Sequence, residues 1–172
     1  MNVSSLSVSD TEITYSLFAE VVYEEKRLME DEGFVPRPYS DMRGCLTVGY
    51  GTNLQYGLSK DEALYLLRFR ANRAKRDADS ICDDYGIIFS YLPLDLRGVL
   101  VNFVYNLGKA GASRFTDMWT AIKDGQYEAA SRHLMHSRYA EQVGARADRL
   151  AHRMAACQQP PAEGDSELAV CS

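Results

Sequence analysis

The apolar positions of this chain follow two rhythms. From Ile13 onward, Leu17, Phe18, Val21, Val22, Leu28 and Met29 recur at three- and four-residue steps, the spacing of one helix face. Asp10 or Thr11 stands where a cap would sit, and Gly33 where such a helix stops. Residues 34–54 then carry two prolines and three glycines, with Cys45, Thr47 and Gly49 alternating among Leu46, Val48 and Tyr50. That texture predicts a short hairpin turning at Asp41–Gly44.

Helical periodicity resumes at Ser59, and Ser59-Lys60-Asp61-Glu62 is a capping-box sequence. Ala63, Leu66, Leu67, Ala71, Ala74, Ala78 and Ile81 fall on one face, predicting a single long helix with one apolar side. Its other side carries Arg68, Arg70, Arg73, Lys75 and Arg76. Asp77, Asp79, Asp83 and Asp84 follow at once and no aromatics interleave, so we read a solvated face and not a nucleic-acid surface. Further on, Asp95 is placed to cap a helix from Leu96 to Leu107 ending at Gly108, with shorter helices at 114–124, 126–136 and 138–156.

These elements predict an α+β protein, predominantly α, with a small hairpin lobe and a helical lobe joined by a long helix. The expected organisation is a loose segment at 1–12 and one domain at 13–156. Within that domain, residues 13–57 form the first helix and hairpin, 58–84 the connecting helix and 85–156 the helical lobe. An acidic disordered tail at 157–172 completes the chain.

Composition narrows the function classes. Hydrophobic residues make up 46% and charged residues 25%, as in ordinary globular proteins. Glu20, Glu24, Glu25, Lys26 and Arg27 interrupt the first apolar stretch, and no basic start precedes it. Neither a signal peptide nor a transmembrane segment is expected. The net charge of −5 is uneven: residues 1–57 hold nine acids and four bases, whereas 58–156 hold twelve acids and fifteen bases. Cys45, Cys82, Cys157 and Cys171 fit neither a disulfide scaffold nor a metal-site spacing, so free thiols are expected. His133 and His136 have no Cys or carboxylate at ligand spacing and read as surface residues. No metal and no cofactor are expected.

The chemistry concentrates at the hairpin. Glu32 ends the first helix, Asp41 lies nine residues on in the turn, and Thr47 six after that on the returning strand. Cleaving a glycosidic bond generally takes two carboxyl groups, one protonated to release the leaving sugar and one ionised. The negative end of a helix disfavours a carboxylate by only ~0.3–1 kcal/mol, so burial would have to help keep Glu32 protonated.

The stretch Asp31-Glu32-Gly33, Pro38-Tyr39-Ser40-Asp41, Gly44 and Leu46-Thr47-Val48-Gly49-Tyr50-Gly51 resembles the active-site signature of phage-type lysozymes of the T-even kind, glycoside hydrolase family 24. The likeness continues through Val101-Asn102-Phe103-Val104-Tyr105-Asn106-Leu107-Gly108, Arg114-Phe115-Thr116, Glu128-Ala129-Ala130 and Ser137-Arg138-Tyr139 to Arg146 and Arg149. It runs from about Glu30 to His152 in unbroken order. Two departures stand out: Asn53 runs almost straight into the Ser59 cap, and Thr52 stands where T-even enzymes have a histidine.

The resemblance implies an endolysin, a muramidase hydrolysing the β-1,4 bond between N-acetylmuramic acid and N-acetylglucosamine of bacterial peptidoglycan with inversion. Glu32 would be the general acid, and Asp41 and Thr47 would hold the attacking water. Arg146 would face the acid from the helical lobe. Asn53, Tyr105 and Met118 are candidates for sugar contact. Asn102 and Asn106 share one face of an apolar helix, where they form either a network near the cleft or an internal bond. Peptidoglycan is the expected partner, with no nucleic acid and no stable membrane association, and the protein is expected to be a monomer. It would accumulate in the host bacterial cytoplasm and reach the wall through a holin. The competing readings are a lytic transglycosylase on the same bond, a lysozyme-fold antibacterial toxin, and a non-catalytic wall-binding protein.

Overall fold

In the computed structural model, residues 21–22 and 24–157 are described. The loose 1–12 segment, the helix start near Ile13 and the tail beyond Cys157 lie outside them. The chain divides into two compact units between Ala63 and Leu64.

In the first unit, residues 21–22 and 24–32 are helical (α1). Gly33 ends the helix as expected: at φ 66° it adopts a left-handed conformation, and its N–H donates to the Met29 carbonyl at 3.2 Å. The apolar positions Val21, Val22, Leu28 and Met29 are exposed. Beyond α1, Val35–Ser40 (β1), Leu46–Gly49 (β2) and Thr52–Asn53 (β3) form an antiparallel sheet in the order β1-β2-β3. The reversal at Asp41–Gly44 is where the sequence puts it. The third strand was not foreseen, because two residues are too few to show alternation.

The cap of Lys60–Asp84 (α2) forms as its sequence specifies. Glu62 Oε2 accepts from Ser59 N at 2.7 Å and from Ser59 Oγ at 2.6 Å, while Glu62 N donates to Ser59 Oγ at 3.2 Å. These hydrogen bonds hold the Glu62 carboxyl below its ordinary pKa. The apolar face does not run the full length of the helix. Leu64, Leu66 and Leu67 are exposed, and burial begins only at Ala74, continuing through Ala78, Ile81 and Cys82, where the core of the second unit packs on α2.

That core is completed by Leu94–Ala112 (α3), Thr116–Lys123 (α4), Tyr127–Met135 (α5), Arg138–Val143 (α6) and Ala145–Ala155 (α7). Helix α5 packs on α4 and α7, and α3 packs on α7. Pro93, not Asp95, is the N-cap of α3, and Asp95 lies inside the first turn. Gly108 breaks the helix at φ 71°, where the sequence ends it, but a further turn follows before Ser113. The expected 138–156 helix is two helices. Gly144, at φ 48°, separates α6 from α7, a conformation that costs glycine little and other residues more. The fold is thus α+β and predominantly helical, with one small antiparallel sheet. No helix of the described residues is long and apolar enough to cross a membrane.

Among the described cysteines, Cys45, Cys82 and Cys157 are free thiols. Burial, reinforced by Asp79 and Asp83, pushes the Cys82 pKa up to about 12. A native thiol titration with an aromatic disulfide at pH 8 should therefore leave Cys82 unmodified until denaturant is added; rapid native labelling of Cys82 would contradict this. Because this acid's pKa is raised in the folded state, its contribution to stability is complete below the ordinary thiol pKa. It should be lost as pH rises from about 9 toward about 12.

Candidate active site

Glu32 is the last helical residue of α1, and its residue is exposed. Its carboxylate lies against Gly51, in the turn between β2 and β3. A Cβ placed on Gly51 would sit 2.6 Å from Glu32 Oε2 and 3.2 Å from its Cδ, while Gly51 itself has φ +74°. The left-handed backbone favours glycine there, and the end of the flexible Glu32 side chain occupies the space that a Cβ would take. In the sequence, Gly51 was visible only as part of a Gly-Tyr-Gly run.

Asp41 builds the hairpin turn. Its Oδ1 accepts from Arg43 N and Cys45 N, both at 2.8 Å, and its backbone N–H donates to the Cys45 carbonyl at 2.9 Å. This is an Asx-turn, in which the side chain replaces a backbone acceptor. Oδ2 has no hydrogen-bond partner among the described residues.

Thr47 lies on the central strand between Tyr39 and Asn53 and is 4% exposed. Its hydroxyl donates to the Cys45 carbonyl at 3.2 Å, which commits its proton and leaves its lone pairs as acceptors. Asn53 uses Oδ1 to accept from Gln55 N at 2.8 Å, capping the short 3-10 turn Leu54–Tyr56. Its amide hydrogens remain available. Glu32, Asp41, Thr47 and Asn53 all belong to the first unit. The Cys45 carbonyl accepts from both the Asp41 backbone N–H and the Thr47 hydroxyl.

The second unit holds the remaining candidates. Arg146, on α7, donates from Nε to Asn102 Oδ1 at 3.2 Å and from Nη1 to Asn106 Oδ1 at 2.9 Å. The two amides stand one turn apart on α3, and a single guanidinium bridges them. Arg146 forms no ion pair among the described residues. Nearby, burial raises the pKa of the Tyr139 hydroxyl while the Arg146 charge opposes that rise. The hydroxyl oxygen is buried and has no hydrogen-bond partner among the described residues. Tyr105 is 37% exposed and presents part of its ring to solvent. Met118 has no exposed surface. It belongs to the core of the second unit. His133 and His136 are exposed. Among the described residues, no three His, Cys, Asp or Glu side chains form a metal-holding group.

The sequence pattern that defines phage lysozymes matches residues 29–156. The chain belongs to the phage lysozyme family. That span contains every residue placed above, from Glu32 to Arg146, and it assigns the chain the general activity of a peptidoglycan-hydrolysing lysozyme. A comparison with curated proteins finds no match.

If Glu32 carries the chemistry, as its place in the sequence signature implies, the Gly51 contact has a measurable consequence. Gly51→Ala should displace the Glu32 carboxyl, since the end of a flexible side chain yields before the sheet backbone does. Misplacing a reacting group by about 1 Å can cost on the order of 10²-fold. We expect hydrolysis of purified peptidoglycan to fall by about 10- to 100-fold. The left-handed alanine should cost about 1–3 kcal/mol of stability, measured by urea unfolding. Full activity in the alanine variant would show that the contact does not position the carboxyl group.

Proposed function

We propose that this phage lysozyme is a muramidase that hydrolyses the β-1,4 bond between N-acetylmuramic acid and N-acetylglucosamine with inversion. Glu32 donates a proton to the leaving sugar oxygen as the glycosidic bond breaks. A water attacks the anomeric carbon from the opposite face, and its proton passes to Asp41.

The observation that carries this reading is the complementary state of two acceptors. Asp41 Oδ2 is unused among the described residues, and Thr47 Oγ1 has already given its proton to Cys45. A water donating one hydrogen to each would keep a lone pair free for the sugar. Arg146, fixed by Asn102 and Asn106, is assigned to the support of the reacting groups, and Asn53 and Tyr105 to sugar contact. The protein is a monomer that needs no cofactor, and a membrane-permeabilising holin gives it access from the cytoplasm to the wall.

Proton NMR of the first-formed reducing end, with mass spectra of digested peptidoglycan, tests the mechanism. Inversion at a β-linked sugar predicts the α-anomer first and hydrated reducing ends. A β-anomer appearing first would mean that a carboxylate attacks the sugar directly. Anhydro-muramic ends would mean transglycosylation without water.

A further inference from the structure

The described chain ends at Cys157, beside a groove of about 550 Å³ in the second unit. Leu94, Asp95, Gly98 and Val99 from the start of α3 line one side of it, and Arg153 and Ala156 from the end of α7 line the other. Two of these residues are not accounted for by the packing around them. Leu94 is 75% exposed. Gly98 stands on ordinary helical backbone, where glycine is disfavoured relative to alanine, yet a Cβ there would meet nothing within 4 Å. Glycine at such a place lets another stretch of chain come close to the helix. Arg153 takes part in no ion pair among the described residues. Cys157 marks the edge of the groove. Its Sγ donates to the Arg153 carbonyl at 3.1 Å, and Asp95 adds to the burial that raises its pKa.

We propose that the chain's own C-terminal segment, residues 158–172, folds back into this groove and seats Leu168 and Val170 against Leu94 and Gly98. Its reach, polarity and charge all suit that place. Leu168 follows Cys157 by eleven residues, about 36 Å of extended chain, which is ample for a return to an adjacent groove. Pro160-Pro161 and Gly164 are residues that favour the reversal. Leu168-Ala169-Val170 is the segment's one apolar run, and Leu94, Val99 and Ala156 offer it apolar surface. Glu163, Asp165 and Glu167 precede that run with no base among residues 158–172, and Arg153 is the one cation lining the groove. Asp95, the one acid there, turns those carboxylates toward the α7 side. The short tether holds the segment near the groove at an effective concentration of millimolar order, well above what a second copy supplies in dilute solution. The seated segment is a strap that ties the start of α3 to the end of α7, in place of the disorder expected from its composition.

The experiment uses the full chain. Labelled protein and its Leu168→Asp/Val170→Asp variant are compared by NMR, both carrying Cys171→Ser so that Cys157 alone reports at this end. The variant should move the amides of Leu94, Gly98 and Ala156. Its Cys157 should react with an aromatic disulfide about 3- to 10-fold faster, the scale of losing one or two partly covered apolar contacts. A synthetic peptide of residues 158–172, added at millimolar concentration, should restore the parent shifts. Failure to restore them would assign the shifts to the new charges and overturn the proposal.

Gly98→Leu tests the other wall. In an empty groove, leucine meets no neighbour and favours the helix, so Cys157 would react as in the parent protein. With the strap seated, leucine displaces it and Cys157 should react faster, as in the double variant. Unchanged amides and thiol rates in the double variant would overturn the proposal. So would shifts that grow with protein concentration, which would give the groove to a second copy of the chain.

Discussion

Replacing Glu32 with glutamine is expected to reduce lysis of purified peptidoglycan by at least about 10²–10⁴-fold, the usual worth of a positioned proton donor. The substitution keeps the shape of the side chain and removes only the transferable proton. Glu32 is exposed at the end of α1, so no buried packing is disturbed and unfolding should be almost unchanged. The amide can still rest against Gly51, because the close approach there depends on the missing Cβ and not on charge. A turbidity assay beside a urea melt separates the two effects. A folded glutamine variant with near-normal activity would remove Glu32 from the chemistry.

The largest expected change in stability comes from Trp119→Ala. The indole is fully buried on α4, stacks near Tyr85 with ring centroids 6.2 Å apart, and donates from Nε1 to the Ala112 carbonyl at 2.9 Å. Truncation removes the apolar contacts, opens a cavity and takes away one of the two donors to the Ala112 carbonyl, leaving Phe115 N. Large aromatic-to-alanine changes in cores cost about 3–5 kcal/mol. Total stabilities are commonly only about 5–15 kcal/mol, so much of the margin would go. For a protein of this size the melting temperature should fall by roughly 6–20 °C. A loss below about 1 kcal/mol would mean that the core collapses around the gap with little strain.

Local signals carried much of the architecture, and their limits are physical. The Ser59–Glu62 box and the Asp41–Gly44 turn were legible because their hydrogen bonds span two to four residues of chain. Gly108 was legible as a stop, yet the turn after it was not, since one glycine can break a helix without ending it. Gly144 was passed over for the opposite reason. Apolar periodicity runs smoothly across 138–156, and only the backbone reveals two helices there.

At the candidate site, spacing and family likeness together singled out Glu32, Asp41 and Thr47, all of which lie in the first unit. The hold of Arg146 on Asn102 and Asn106 spans 44 and 40 residues, a separation that no local pattern encodes. Likewise, the fit of Glu32 onto Gly51 depends on the sheet being folded. The burial of Met118 was likewise not legible, because its place in the core depends on how the helices of the second unit pack.

The Asx-turn at Asp41 has a consequence for descent. One oxygen of that side chain builds the hairpin, while the other is the one that the proposed mechanism assigns to the water. Selection at this position therefore acts on two traits at once, foldedness and turnover. Most exchanges would damage both. Asparagine best keeps an acceptor at the turn while surrendering the charge, since serine and threonine hydroxyls make the same turn more weakly. A lineage that gives up hydrolysis but retains the protein for another purpose has a narrow exit at position 41. Its inactive descendants should carry asparagine there, with the hairpin intact.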